Sequence, residues 1–212
     1  MKTDSPESGW ITLREPFTIS TEIKKSRFIA HAAPVTSRDD ALAFLASVRD
    51  DAATHNCWAY KIDSDYRFSD DGEPGGTAGK PILTAIEGSG VNGVMVVVVR
   101  FFGGIKLGAG GLVRAYSNAA ATCLGHADKV QVISTVRRLF NVPFDCIGCV
   151  YPLLDRHGVS RNAETYTDTC VAFDVTVPQS AMADFQRDLT DATSGRVTGI
   201  KAPGETDDPG VS

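Results

Sequence analysis

No stretch of this sequence is apolar for long enough to span a bilayer, and Met1 to Ser20 holds no apolar core of the kind a secretory signal carries. No membrane contact is therefore expected, and the cytoplasm is the expected compartment. Cysteine is scarce. Cys57, Cys123, Cys146, Cys149 and Cys170 are odd in number and lack the spacing of a disulfide framework, so reduced thiols are expected. Catalytic signatures are missing too: there is no Ser/His/Asp order, no Gly-x-Ser-x-Gly elbow, no kinase signature, no Walker loop and no dinucleotide fingerprint. No nucleophile can be named, no cofactor is expected, and no His/Cys set has the spacing of a zinc site. An excess of positive charge is also absent, with 21 basic against 26 acidic side chains and a net charge of −5. Broad attraction to nucleic acid is thereby excluded, and any contact with RNA has to be local.

The most informative absence is regional. No Asp or Glu occurs between Glu87 and Asp128. Within that window Val94 to Val99, interrupted only by Met95, reads as a strand buried on both faces, and Ala109 to Ala127 recurs with a helical period. Between them lies a loop containing Gly103, Gly104, Gly108, Gly110 and Gly111. A loop so poor in side chains lets backbone N–H groups approach an anion, and Arg100, Lys106 and Arg114 add positive charge with no acid nearby. These eight residues form the candidate anion- or RNA-binding site. Tight packing of a strand-to-helix turn explains the same glycines on structural grounds alone.

At 212 residues with 42% hydrophobic and 22% charged side chains, the chain suits one large or two small soluble domains. Residues 1–9 are polar and are expected to fray. Phe17 to Ile23 and Arg27 to Val35 alternate around Lys24-Lys25-Ser26 as a hairpin, and Ser37 is positioned to cap a helix that ends near Asp51. A strand over Cys57 to Ile62 follows, extended by Arg67-Phe68. Ser69 to Gly79 reads as a mobile surface loop, and Thr77 as the cap of a helix from Lys80 to Glu87 with Pro81 in its first turn. Beyond Asp128 the order is strand (Val130 to Val142), helix (Cys146 to His157), two strands (Ser160 to Thr169, Val171 to Val177), helix (Ala181 to Thr193) and strand (Arg196 to Lys201). That is the split βαβ, or ferredoxin-like, arrangement. The chain is thus read as α+β, with domains over 10–128 and 129–201 and a tail over 202–212. The two halves carry net charges of −2 and −3, so neither is a basic module.

Four further groups carry possible chemistry. Asp70, Asp71 and Glu73 supply paired carboxylates that suit Mg²⁺ or acid–base work, although such clusters are more often solvated loops; folded toward the basic window, the loop would close over a ligand or neutralise the site until RNA displaces it. His55 shares a strand face with Cys57, and Trp58 and Tyr60 are aromatic platforms for stacking a base; packing is the plainer role for all of them. Cys146-Ile-Gly-Cys149 is a lone C-x-x-C at a helix start, without the surroundings of a redox fold. Arg137-Arg138 sends one cation to each face of its strand.

Ser26 to Ala30, His55 to Tyr60, Arg67 to Gly79 and Val99 to Tyr116 together resemble the bacterial YigZ branch of the YigZ/IMPACT family. The resemblance covers Arg27 to about Ala120. It implies a first domain similar to the second domain of a small-subunit ribosomal protein and a second similar to the last domain of elongation factor G. It also implies a role near translation, since eukaryotic relatives regulate it under amino-acid starvation by competing for an activator of an initiation-factor kinase. RNA or a ribosome-associated protein is the partner that follows. The alternative is an enzyme acting on a small phosphorylated metabolite or nucleotide, with the acidic loop supplying metal ligands or a base. In Glu73-Pro-Gly-Gly-Thr77 a second glycine precedes the threonine where the family has one, which is expected to loosen the loop. Oligomeric state is open.

Overall fold

The computed structural model describes residues 9–204. Within them the chain divides into a compact unit over Trp10–Val132 and a second unit from Ile133 onward. Each is described by itself.

The first unit is built on a five-stranded antiparallel sheet. Its strands are β2 (Phe17–Ile23), β3 (Ser26–Pro34), β4 (His55–Ile62), β5 (Asp65–Ser69) and β6 (Val94–Phe101), in the order β2-β3-β6-β4-β5. β6 occupies the centre, and both of its faces are covered. Val94, Val96 and Val98 point into one core with residues of helices α2 (Gly79–Gly88) and α3 (Ala109–His126). Met95, Val97 and Val99 point into another, against Ala41, Phe44, Leu45 and Val48 of helix α1 (Arg38–Val48). The unbroken apolar run of β6 therefore reflects burial on two sides, although the sheet is antiparallel. Arg67-Phe68 does not prolong β4. It lies in β5, which returns antiparallel to β4 with Phe68 opposite Ala59.

Helix boundaries follow from local chemistry. Ser37 caps α1 by accepting from the Asp40 amide at 3.1 Å, and Asp39 and Asp40 place negative charge in the first turn, where the helix dipole favours it. In α3, Leu112, Ala115, Tyr116, Ala119, Ala120, Cys123 and Leu124 recur at three and four residues and form the buried stripe. No side chain caps α3. It begins at Gly108, whose φ of 75° is open to glycine at little cost.

The seam falls slightly later than expected. The run from Val130 to Val142 breaks at Ser134 into two strands, β7 (Lys129–Ile133) and β8 (Thr135–Pro143). β7 pairs with β1 (Gly9–Leu13) in a separate two-stranded sheet, so most of β7 belongs to the first unit. The second unit runs β8, α4 (Ile147–Arg156), β9 (Ser160–Tyr166), β10 (Cys170–Pro178), α5 (Met182–Ala192) and β11 (Thr198–Lys201), with sheet order β11-β8-β10-β9. This is the ferredoxin-like βαββαβ pattern. Val171, Phe173, Val175 and Val177 alternate along β10 into a core with Val150, Leu154, Phe185 and Leu189. The protein is α+β in both units. Among the described residues no helix is long and apolar enough to cross a membrane.

Candidate functional site

Arg100, the penultimate residue of β6, lies on the same face as Val94, Val96 and Val98, opposite His55 of β4 and Phe28 of β3. A cation on an inward position must find a partner. That partner is Glu73. The loop after β5 brings its carboxylate under the sheet, where Oε1 accepts from Arg100 Nη1 and, at 2.7 Å, from the Tyr116 hydroxyl of α3. Both members of the ion pair are buried, with side chains 6% and 3% exposed. His55 Nε2 lies 3.8 Å from the same oxygen, and its Nδ1 is 2.7 Å from the Asp71 carbonyl. Burial pushes the Tyr116 hydroxyl far above its ordinary value, aided by the neighbouring Cys57 and Glu73, so it stays a donor. Burial also raises the Cys57 thiol to about 12, which removes it as a nucleophile at neutral pH.

The expectation of a mobile acidic loop is overturned. Glu73, Thr77 and Ala78 are buried. Asp70 accepts from the amides of Gly76, Ala78 and Gly79 at 2.8, 2.9 and 2.8 Å, and Asp71 from the Asn56 amide at 2.6 Å. Turn-forming residues gave the loop a solvent-exposed look, but its acids bind inward. Thr77 does not cap α2 either: its hydroxyl donates to the Pro74 carbonyl, and Asp70 satisfies the first amides of the helix instead. The additional glycine, Gly75, has open space around its Cα.

Burial works to raise the Asp70 pKa, but the three amide bonds outweigh it and hold it below the usual carboxylate range. A depressed folded pKa stabilises the protein above the unfolded value of about 3.9, and this contribution is lost as pH falls further through the folded value. Asp70→Asn is therefore expected to lower stability at pH 7 by about 1 kcal/mol, the usual worth of a cap. The gap from the unsubstituted protein should narrow below about pH 4, which urea midpoints at the two pH values will measure.

A cavity of about 340 Å³ opens beside this network, lined by His55, Glu73, Arg100, Phe102, Lys106 and the first residues of α3 at Gly108 and Ala109. Among the described residues, Lys106 has no ion-pair partner, and the amides of Ala109, Gly110 and Gly111 have no protein acceptor. The Arg100 Nε also has no partner, but it is buried out of reach of solvent. Phe102 is 47% exposed at this cavity, with Arg100 Cζ 5.5 Å from its ring centroid. Sequence reading passed over Phe102 and Tyr116, whose only signal was adjacency to the Arg100 and Arg114 motif.

The three cations do not converge. Arg100 and Lys106 share the cavity, but Arg114 lines a separate groove of about 670 Å³ with Lys24, Ser117 and Asn118. The glycines also divide by role. Gly103 is held by packing and donates to Ser26 Oγ at 3.2 Å, so its amide is not free for a ligand. Gly104 and Gly108 take positive φ angles, and Gly110 and Gly111 lie in the first turn of α3. Trp58 and Tyr60 stack on each other, 6.1 Å apart, on the α1 face of the sheet. Tyr60 is 1% exposed and cannot stack a base, and neither ring is on the His55 side.

Asp70, Asp71 and Glu73 each hold protein donors, and among the described residues no three His, Cys, Asp or Glu are grouped to hold a metal ion. In the second unit, burial raises the Cys146 thiol despite the Arg196 guanidinium 2.7 Å from its sulfur, and Cys149 Sγ contacts the Cys146 carbonyl. All five cysteines are free. Arg137 of β8 is paired with Asp174 of β10.

Residues 24–124 match the Impact N-terminal domain, and 140–196 match a domain of unknown function, DUF1949. The chain is 47% identical over 176 residues to an "IMPACT family member in pol 5'region" of Thermus thermophilus, covering 82% of this chain and 97% of that protein. It is 36% identical over 195 residues to "IMPACT family member YigZ" of Escherichia coli, covering 88% and 95%. "Protein IMPACT" of Rattus norvegicus is 40% identical over 93 residues, which span 40% of this chain and 29% of that one. A crystal structure of a hypothetical protein superposes with a TM-score of 0.65 at 33% identity, covering 93% and 99%. With both domains matched in order and the two bacterial relatives aligned over nearly their whole length, the chain belongs to the YigZ/IMPACT family.

Proposed function

We propose that this protein is a translation-associated binding protein that takes an RNA phosphate in the cavity lined by Arg100, Lys106 and the amino end of α3. One observation carries the reading. Arg100 lines the cavity with its Nη1 held by Glu73, and the partners missing there are those of Lys106 and of the first amides of α3, which have none among the described residues. An anion there gains charge-assisted bonds and the helix dipole together. Phe102 at the mouth offers a ring on which a base stacks. The enzyme alternative draws no support from the acidic loop, because its three carboxylates are engaged with amides, Arg100 and Tyr116.

Binding of fluorescent single-stranded RNA, followed by anisotropy between about 50 and 200 mM salt, tests this. Affinity is expected to fall with salt, and Lys106→Ala to weaken binding and reduce the logarithmic salt slope by about 0.7, the value of one phosphate contact on a single strand. A flat salt response would remove the phosphate reading.

A further inference from the structure

The groove beside the cavity was not part of that reading. Its floor is Ile23, Leu107, Ala115 and Ala121, and its rims carry Lys24 from the turn between β2 and β3 and Arg114 from α3. Leu107 lines both spaces, so it forms the divide between them. No acid lines the groove, and among the described residues neither Lys24 nor Arg114 is ion-paired. Along α3, Gly111, Arg114, Asn118 and Ala121 follow at three and four residues, giving one helical face about 15 Å long. Arg114 Nη1 lies back over Gly110, 3.6 Å from where a side chain there would begin.

The turn itself supplies an independent observation. Lys24 and Lys25 both take left-handed backbone angles, with φ of 48° and 64°. A two-residue hairpin turn of this kind ordinarily selects Asn and Gly. Two lysines occupy it here, at a cost in backbone strain that brings no packing in return, since Lys24 and Lys25 are exposed. Gly103 packs directly on the Lys25 carbonyl, so the turn is fixed against the glycine loop, and Lys24 lines the groove.

We infer that the groove is a second phosphate subsite, and that a single RNA strand crosses Leu107 with one phosphate in the cavity and further phosphates along the Lys24–Arg114 groove. This rests on the reading of the cavity as an RNA site and specifies what kind of RNA it takes. Two concave spaces on either side of a side-chain ridge accept a flexible, unpaired strand, whereas a duplex presents its phosphates on a convex surface too wide to enter them.

The test compares uridine monophosphate with an eight-nucleotide oligouridylate on the full chain, using Lys24→Asn/Lys25→Gly, Arg114→Gln and Lys106→Ala. The hairpin variant installs the favoured turn residues, so its thermal midpoint is expected to hold or rise. Oligonucleotide affinity should nevertheless drop several-fold in the hairpin and Arg114 variants. Their salt slopes should fall by about 0.7 per contact removed, while monophosphate binding stays unchanged. Lys106→Ala should weaken both probes. Unchanged oligonucleotide binding in the hairpin and Arg114 variants, with Lys106→Ala still weakening it, overturns the second subsite and leaves the cavity standing. Equal losses for both probes in the hairpin and Arg114 variants also overturn it. Indifference of all three variants to RNA overturns the subsite and the cavity reading together.

Discussion

Glu73→Ala is expected to destabilise the first domain by about 3–5 kcal/mol, the cost of breaking a buried ion pair from one side. The substitution leaves the Arg100 guanidinium buried with neither Nη1 nor Nε satisfied, and it takes the acceptor from the Tyr116 hydroxyl. The Phe28 and Phe102 rings stay beside Arg100, each 5.5 Å from Cζ. Cation–π attraction of about 1–2 kcal/mol does not replace a carboxylate. Trp10 and Trp58 both belong to the first unit, so tryptophan fluorescence in a urea titration reports on this domain alone. Glu73→Gln keeps an oxygen acceptor for both donors and should lose less, about 1.5–3 kcal/mol.

The decisive comparison is the double variant Glu73→Leu/Arg100→Met. An apolar pair of similar volume is expected to recover the part of the loss that comes from the unpaired Arg100, while the Tyr116 hydroxyl, still without its acceptor, keeps a cost of about 1–3 kcal/mol. The same variant removes the donor that lines the cavity, so RNA affinity should remain low in a well-folded protein. Stability and binding are thereby separated. A Glu73→Ala protein as stable as the parent would mean that Arg100 escapes to water, and the site as built here would not exist.

That network shows what sequence reading reaches and what it does not. The run from Val94 to Val99 announced a strand covered on both faces, and the stripe in α3 announced its buried side, because both depend on side-chain period alone. The βαββαβ order of the second unit was legible for the same reason. Three-dimensional pairing was not. Arg100 continues the even-numbered face of Val94, Val96 and Val98, a parity that points it inward, but the sequence reading took it as an unopposed cation. The acid lies 27 positions upstream in a loop whose Gly and Pro content reads as exposed, so the cation and carboxylate were assigned to separate features. The break of the Val130–Val142 run at Ser134 was likewise hidden, because only pairing of β7 with the distant β1 separates it from β8. Arg114 was grouped with Arg100 by nearness in sequence, whereas its helical position faces the neighbouring groove.

Gly103→Ala is expected to cost about 3 kcal/mol, the top of the range for forced overpacking, and to impair RNA binding as well. A Cβ at this position would stand 1.9 Å from the Lys25 carbonyl oxygen, 2.0 Å from its carbon and 2.5 Å from the Ser26 nitrogen. Ordinary contact needs about 3.5 Å, and all three atoms are backbone, so no rotamer change relieves the overlap. The turn cannot simply swing away, because β2 and β3 are paired in register from Phe17 opposite Ala32 to Ile23 opposite Ser26. The glycine loop must move instead, giving up the Gly103 bond to Ser26 Oγ and shifting Lys106 relative to Lys24. Gly104→Ala is the matched control. Its φ of 85° imposes strain, but nothing lies within 4 Å of the new methyl, so about 1–2 kcal/mol is expected. Urea midpoints that rank Gly103→Ala as the costlier change make close backbone approach the reason for glycine at 103. The reverse ranking would make loop conformation the dominant constraint and would detach the hairpin charges from the groove they are argued to adjoin.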